Sequence, residues 1–464
     1  MTEQLAYRYL SPSRLNQSAD QAELDLATSG GIGVSGSVAH PHFFSGFVEQ
    51  PVIVAQSILL LARVARTRFY VPPNSLAAIL RAADPVVTAT AEGLRFESFS
   101  ACCGVYARLD VDASALDAMH MTTGVTNVDV NPPLRQALAT VRASEPLHLN
   151  VGSDALRVST PRGEVVEDKV PLPKRWLKGF AETQMLAAGM TLRHELNAAQ
   201  ARQFIQALPK SSATKTVMWA VQAARSLRLA STAATGAVCV AGPERLRVLE
   251  PLMRHATALR AYGPDVSAGA MPLPSAWVLE LPGARLTIAL SPEKSRGFSG
   301  EGSVLHLIAG GDATEDAEFV SSLLALEPRI DIAQLAVRAL LPEAQIAAAL
   351  SVLASSGQVG FDLAAGAYFH RPLPVQSGLL DTMHPRLADA RKLVAEASVQ
   401  SDGAEQFAVT SGDQRYRVVL GTEAADDRCT CPWYAKYKGT RGPCKHTLAV
   451  RIFLDPVRFA GTEA

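Results

Sequence analysis

The stretch that decides the C-terminal fold is Cys429-Thr-Cys431-Pro-Trp-Tyr-Ala-Lys-Tyr-Lys-Gly-Thr-Arg-Gly-Pro-Cys444-Lys-His446. Its spacing is C-x-C-x12-C-x-H, so two pairs of metal-binding residue types stand on either side of a loop. Side chains two apart on an extended chain point the same way, so Cys429 and Cys431 can aim both sulfurs at one ion. Pro432 favours an extended Cys431.

Regular elements are predicted on both sides of this loop. Residues 416–420 have the pattern of a strand, and residues 447–454 have the pattern of a helix. Cys444 and His446 stand at the start of that helix, where the positive end of the helix dipole favours a thiolate. The segment therefore predicts a small strand–loop–helix module.

Three thiolates and one imidazole form the ligand set that tetrahedral zinc prefers, with bonds of about 2.0–2.3 Å. The predicted ligands are Cys429, Cys431, Cys444 and His446. They leave no coordination position open, so the sequence predicts a structural Zn²⁺, one per chain. Metal binding should supply folding energy on the order of 10 kcal/mol. The alternative is a cluster of structural cysteines without metal.

The four ligand positions resemble the SWIM-type zinc finger, whose signature is C-x-C, a variable loop, then C-x-H. The resemblance covers roughly residues 405–455. The rest of the chain resembles uncharacterised bacterial SWIM proteins, whose gene clusters include AAA-type ATPases and von Willebrand A-domain proteins. The resemblance implies an assembly role and suggests such proteins as partners. The family is also thought to bind DNA or proteins.

The loop between the ligand pairs is aromatic and basic, and it has no acidic residue. Aromatic faces interleaved with cations suit stacking on bases and contact with phosphates. The alternative is that the aromatic residues pack over the site and the lysines are solvated. The candidate contacts for a nucleic acid or a protein partner are Trp433, Tyr437, Lys436, Lys438, Arg441 and Lys445.

Upstream of the finger, residues 312–374 resemble a winged-helix module. Helices are predicted at 314–326, 332–340 and 342–356, followed by a hairpin that ends at His370 and Arg371. In DNA-binding winged helices the third helix enters the major groove. Here that helix has no Lys or Arg, whereas base reading and phosphate contact need donors and positive charge. The pattern favours protein contact or scaffolding.

Residues 51–173 contain a predicted duplication. Pro72-Pro73 and Pro132-Pro133 each start a helical pattern, and strand patterns follow at 85–96 and 146–158. Repeated units of this kind resemble sliding-clamp folds, although a generic α+β duplication is the favoured interpretation. The preceding residues, 1–50, are predicted to be an extended leader.

Residues 174–311 form a predicted basic α+β region. Within 174–260 there are thirteen basic and four acidic residues, although the whole chain has 44 of each charge. Such a bias suits a phosphate-binding face, a solvated surface or a surface docked on the acidic remainder.

Composition places the chain among ordinary globular proteins, with 48% hydrophobic and 19% charged residues. The first residues lack the pattern of a secretory signal. The most apolar stretch, residues 51–65, is shorter than the roughly 20 residues that span a bilayer, so it predicts a buried helix and no membrane span. Six cysteines, three of them clustered near the end, indicate metal binding in a reducing compartment. We therefore expect a cytoplasmic protein.

Together these patterns predict an α+β multidomain protein with a duplicated core, a winged-helix-like module and a C-terminal zinc module. The predicted segments are 1–50, 51–173, 174–311, 312–374 and 375–464. The favoured function is a non-enzymatic, zinc-binding protein-interaction adaptor. One alternative is a nucleic-acid-binding protein that uses the finger loop and the basic region, and another is an enzyme with a dispersed site in the α+β core. The chain has no GxSxG, Walker or HExxH motif, which favours a non-enzyme.

Overall fold

The fold is taken from a computed structural model. It describes the following residues: 12–18, 21–33, 36–38, 41–67, 69, 85–128, 130–152, 174–213, 215–223, 226–295, 297–298, 302, 305, 312–373, 385–421, 426–439 and 441–454.

Strands are numbered in chain order within the described residues. They are β1 Arg14–Gln17, β2 Ala22–Leu26, β3 Gly31–Gly33, β4 Gly36–Val38, β5 Phe44–Val48, β6 Val86–Thr90, β7 Gly93–Phe99, β8 Val105–Asp112, β9 Leu116–Met121, β10 Gly124–Asn127, β11 Leu147–Val151, β12 Thr191–Asn197, β13 Val217–Ala223, β14 Ser226–Ala230, β15 Val238–Ala241, β16 Ala258–Gly263, β17 Ser275–Leu281, β18 Ala284–Leu290, β19 Val359–Asp362, β20 Ala367–His370, β21 Val399–Ser401, β22 Gln406–Ser411, β23 Gln414–Val419 and β24 Arg428–Cys429.

The α-helices of the same residues are numbered separately. They are α1 Pro51–Arg66, α2 Pro132–Leu138, α3 Lys174–Ala188, α4 Ala198–Ala207, α5 Asp312–Leu323, α6 Ile332–Ala339, α7 Glu343–Ser355, α8 Pro385–Ala395, α9 Pro432–Tyr437 and α10 Lys445–Leu454. Within the same described residues, 3-10 helices lie at Ala113–Ala115 and Pro243–Leu252. The mixed α+β class predicted from the sequence is confirmed.

Two sheets dominate the N-terminal two thirds of the chain. One has ten antiparallel strands in the order β12-β16-β17-β18-β8-β7-β6-β10-β3-β4. The other is mixed and has five strands in the order β1-β2-β11-β5-β9, of which β2 and β11 are parallel. Strands from residues 1–50, 51–173 and 174–311 join in the ten-stranded sheet. The division of the chain into five segments stays a prediction.

Helix α1 packs on the ten-stranded sheet against β7 and β8, and it is buried as its apolar sequence predicts. It begins with Pro51 at the first helical position, where a missing N–H costs no hydrogen bond, and Arg63 and Arg66 lie in its last turn. Its buried side chains, such as Leu61, share one core with Leu24 of β2 and Leu109 of β8. Each such fully buried Leu contributes roughly 1.5–3 kcal/mol, so this core anchors both sheets.

The predicted duplication is only partly within the described residues. The strand patterns at 85–96 and 146–151 are real, and α2 starts at Pro132 as expected. However, β6 and β7 lie in the ten-stranded sheet and β11 lies in the five-stranded sheet. The first repeat's helix after Pro72 and the second repeat's last strand at 156–158 lie outside the described residues, so the duplication stays a prediction.

Between residues 312 and 373 the structure contains α5, α6 and α7 followed by the hairpin β19–β20. These are the three helices and the hairpin that the sequence predicts. The assignment as a winged helix stays a prediction. His370 and Arg371, at the end of the hairpin, are both buried, so their side chains face the protein rather than the solvent.

The β19–β20 hairpin packs against charged side chains on one face of the ten-stranded sheet. Arg95 of β7, Asp110 of β8 and Arg285 of β18 are neighbours in strand register, and Arg108 lies one row away. All three arginines bind Asp362 at the end of β19, at N–O distances of 3.1–3.3 Å. We call this cluster the hairpin interface.

We include in the hairpin interface a second contact next to the Asp362 cluster, a fully buried ion pair. Arg371 lies 2.5 Å from Glu97, and neither side chain is exposed to solvent. The Tyr106 hydroxyl donates to the same carboxylate at 2.6 Å, and the Arg371 guanidinium stacks on Phe180 of α3 at 4.4 Å. The hairpin is therefore held on the sheet by charges that water does not reach.

Among the described residues no single helix is both long and apolar enough to cross a bilayer. One pair of helices bent by 103°, α6 with α7, meets the same test of length and composition only when taken together.

Candidate metal centre

The first ligand pair follows the edge of a four-stranded sheet. Cys429 ends β24 and pairs with Val418 of β23. Cys431 is extended, with φ −70° and ψ 155°, as the following Pro432 predicts, and its sulfur accepts a hydrogen bond from the Tyr434 backbone N–H at 3.4 Å. Cys431 thus caps α9, a helix within the loop that the sequence analysis did not foresee.

The second ligand pair lies at the start of α10, as predicted. The Thr447 backbone N–H donates to the Cys444 sulfur at 3.4 Å, and the Thr447 hydroxyl donates to the Cys444 carbonyl at 2.9 Å. His446 lies in the first helical turn, and its ring contacts that of Tyr416 of β23 in a tilted arrangement, with 4.4 Å between centroids. An N–H group at the helix N-terminus, which has no partner within the helix, therefore holds the Cys444 sulfur in place.

All four side chains converge on one point. Their ligand atoms lie within 4.8 Å of one another, and all four residues are buried. The His446 Nδ1 atom is 3.8 Å from the Cys429 sulfur and 3.9 Å from the Cys444 sulfur. Zinc bonds of about 2.0–2.3 Å in a tetrahedron place ligand atoms roughly 3.5–3.8 Å apart, so the set fits one zinc ion through the Nδ1 nitrogen.

The pKa shifts of the three thiols are consistent with a metal-binding site. Hydrogen bonds from the Cys429 and Cys431 thiols lower the pKa of Cys444. The pKa of Cys429 is raised, chiefly by its hydrogen bond to Cys431 and next by its hydrogen bond to Cys444. Three buried thiols this close cannot all ionise beside one another without a compensating cation. A bound Zn²⁺ supplies that charge, so the three cysteines can bind it together as thiolates.

Two ion contacts brace the module around these ligands. Arg451 of α10 binds Asp427 through two N–O contacts of 2.6 and 2.7 Å, and the Asp427 side chain is almost fully buried. This bidentate pair ties the chain just before Cys429 to the helix that carries His446. Sequence reasoning missed both partners, because nothing in the spacing links residues 427 and 451.

The aromatic residues of the loop are mostly engaged within the protein. Trp433 lies 4.5 Å from Tyr437 between ring centroids, with the guanidinium of Arg386 at 4.6 Å and that of Arg441 at 5.5 Å. Arg441 also lies over Tyr437 at 4.8 Å. These cation–π contacts favour the packing interpretation for Trp433.

The predicted lysine contacts lie on the outside of the module. Lys436 and Lys438 are exposed, and Lys436 lies 5.1 Å above the Tyr437 ring. Lys445 is partly exposed and lies 3.9 Å from Asp389 of α8. The structure thus separates the candidate contact set into an inner part, where Arg441 packs over Trp433, and an outer basic part formed by the lysines.

Comparison with known families bears on this geometry. The sequence matches the SWIM zinc finger family over residues 416–452, a span that contains all four converging ligands. Residues 416–452 are a SWIM zinc finger. Cys429, Cys431, Cys444 and His446 are positioned to bind its one zinc ion.

Beyond the SWIM finger the comparisons are less informative. The chain matches no curated protein. It is similar to the proliferating cellular nuclear antigen of Entamoeba histolytica, at 10% identity over 54% of this chain and 99% of that one, with a TM-score of 0.32. It is also similar to a PCNA2–PCNA3 complex of Sulfolobus tokodaii, at 8% identity over 54% of this chain and 100% of that one, with a TM-score of 0.32. A third similar structure is PCNA of A. fulgidus with the C-terminal region of FEN-1, at 11% identity over 53% of this chain and 97% of that one, with a TM-score of 0.32. These TM-scores are too low to assign the fold.

Proposed function

We propose that the chain is a zinc-stabilised, non-enzymatic adaptor that binds a protein partner through α6. The observation that supports this is an apolar stripe on the solvent side of that helix. Ala333, Val337 and Leu340 are exposed at i, i+4 and i+7, with Val337 75% and Leu340 89% exposed. Single exposed apolar residues are ordinary, but a row of them on one helix face is typical of an interaction site.

The backbone at Leu340 strengthens this interpretation. Leu340 caps the C-terminus of α6 with φ +56°, in the left-handed region that favours glycine. A leucine there costs on the order of 1 kcal/mol relative to glycine, and its side chain stabilises nothing inside the fold. A role in contacting a partner accounts for the presence of a residue that is both strained and exposed.

The hairpin supports protein contact over DNA reading. His370 accepts a hydrogen bond from the Leu326 backbone N–H through Nδ1 at 2.8 Å, and Arg371 is held by Glu97. Neither side chain is available to a phosphate, and α7 has no Lys or Arg. The AAA-type ATPases and von Willebrand A-domain proteins implied by the family resemblance are the first partners to test.

The test places a photo-cross-linking residue at position 337 and, as a control, at the exposed position Gln345, in the full chain expressed in its native host. We expect a discrete protein adduct from position 337 and none from 345. Leu340→Gly is the matching variant: it should weaken the adduct while raising the melting temperature, because glycine relieves the left-handed strain. No adduct from position 337, or an adduct unchanged in the variant, would contradict the proposal.

The second candidate function is nucleic-acid contact by the outer basic part of the finger loop. A hydrogen bond from Lys436 and the nearby Arg441 lower the pKa of Tyr437, which indicates positive potential at this surface. Fluorescence anisotropy with single-stranded DNA and RNA tests this candidate. Affinity that falls steeply with salt and is lost in Lys436→Ala/Lys438→Ala would favour it, since released counterions drive such binding.

A further inference from the structure

Arg386 lies in α8, thirty residues before the matched finger begins, yet it contacts the finger loop directly. Its NH1 group donates to the carbonyl oxygens of Arg441 and Pro443, both at 2.8 Å. Its guanidinium also stacks on the Trp433 ring at 4.6 Å. One partly buried side chain therefore holds the loop at three points.

These three points border both ligand pairs. Trp433 is two residues after Cys431, and Pro443 directly precedes Cys444. The chain bends between the two carbonyls at Gly442, whose φ of +74° lies in the region that favours glycine. The backbone of Gly302 packs against both Gly442 and the Arg386 guanidinium, so this corner has no room for another side chain.

We propose that Arg386 is a positioning residue for the metal centre. By fixing the corner at 441–443 it keeps Cys444 aimed at the other three ligands, and by covering Trp433 it holds α9 and its capping residue Cys431. Groups that orient ligands from outside the coordination sphere typically change metal affinity by about 10–100-fold when they are removed. The unit that retains zinc therefore begins at α8 rather than at residue 416, whatever partner the protein binds.

The experiment measures the rate at which zinc passes from the full-length, reduced protein to an excess of a chromogenic chelator. Arg386→Ala should release zinc about tenfold faster than the unchanged chain. Arg386→Lys should release it at an intermediate rate, because it keeps a donor but loses the flat face over Trp433. Lys392→Ala, on an exposed part of the same helix, should leave the rate unchanged.

A second control separates positioning from general loosening of the module. Leu393→Ala removes a buried side chain of the core that α8 shares with the finger and leaves the Arg386 side chain in place. It should lower the melting temperature with less effect on zinc release than Arg386→Ala has. Equal release rates in Leu393→Ala and Arg386→Ala at equal melting temperature would overturn the proposal.

Cobalt substitution gives a readout of ligand geometry. The d–d bands of Co²⁺ bound to the Arg386→Ala chain should differ from those of the unchanged chain, while Lys392→Ala should reproduce them. If Arg386→Ala does not fold, Arg386→Lys carries both measurements. Release and spectra identical to the unchanged chain in a folded Arg386 variant would overturn the proposal.

Discussion

The SWIM finger and the hairpin interface both bury polar side chains together, but they balance charge differently. In the finger four ligands within eighteen residues converge, and three of them are thiols whose ionisation needs a cation. In the hairpin interface the arginines and carboxylates neutralise one another, and its partners stretch from Arg95 to Arg371. The finger should therefore unfold when its ion is removed, and the interface should lose most stability when a fully buried partner such as Arg371 is removed.

Removing the metal should have the largest effect. Zinc binding contributes on the order of 10 kcal/mol to the folding of small finger modules, so chelation should unfold residues around β23 and α10. Hydrogen exchange measured before and after chelation checks this. We expect protection to be lost in the finger and kept in β8 of the ten-stranded sheet. Equal loss in both would show that the two regions fold as one unit.

Breaking the buried pair should come next. Arg371→Met leaves Glu97 charged and buried, which typically costs about 3–5 kcal/mol. Urea unfolding at constant zinc measures the change. Arg371→Met/Glu97→Gln should recover much of the loss, because glutamine is neutral and still accepts from Tyr106. A single variant as stable as the unchanged chain would show that the pair does not hold the hairpin.

Acid should loosen the hairpin through His370. Burial lowers the pKa of His370 to about 4, although Glu327 opposes the shift. The unfolded chain, with a histidine pKa of about 6.5, binds more protons between these values, so stability is full above about pH 6.5 and falls by up to about 3 kcal/mol towards pH 4.

Hydrogen exchange in β19 and β20 across this pH range measures the effect. His370→Asn keeps an acceptor near the Leu326 N–H but does not titrate, so it should flatten the pH dependence. The same dependence in the variant would show that another group is responsible.

The smallest effect should come from Arg285→Ala in the same interface. Arg285 is 24% exposed and reaches Asp362 at 3.3 Å, while Arg95 and Arg108 still bind that carboxylate. We expect a loss of about 1 kcal/mol by urea unfolding, since a partly exposed pair contributes little. A loss as large as that of Arg371→Met would mean that the three arginines act as one cooperative unit.

The contrast between the finger and the hairpin interface also explains which parts of the structure can be predicted from the sequence. The finger was readable because its ligands are rare residue types at fixed short spacing beside a strand and a helix. The helices at 312–355 and α1 were readable from apolar period and proline starts. The hairpin interface could not be predicted from the sequence. The contacts of Arg95, Arg285 and Asp362 depend on strand register and on the docking of a hairpin that is distant in sequence. Arg386 and the Asp427–Arg451 pair escaped for the same reason.

The central claim is that one zinc ion is held by Cys429, Cys431, Cys444 and His446. Zinc per chain, quantified in the reduced full-length protein and in Cys444→Ser and His446→Ala, tests it most directly. We expect about one zinc per unchanged chain, with loss or marked weakening in both variants. A folded, reduced preparation that has never met a chelator and contains no zinc would contradict the account.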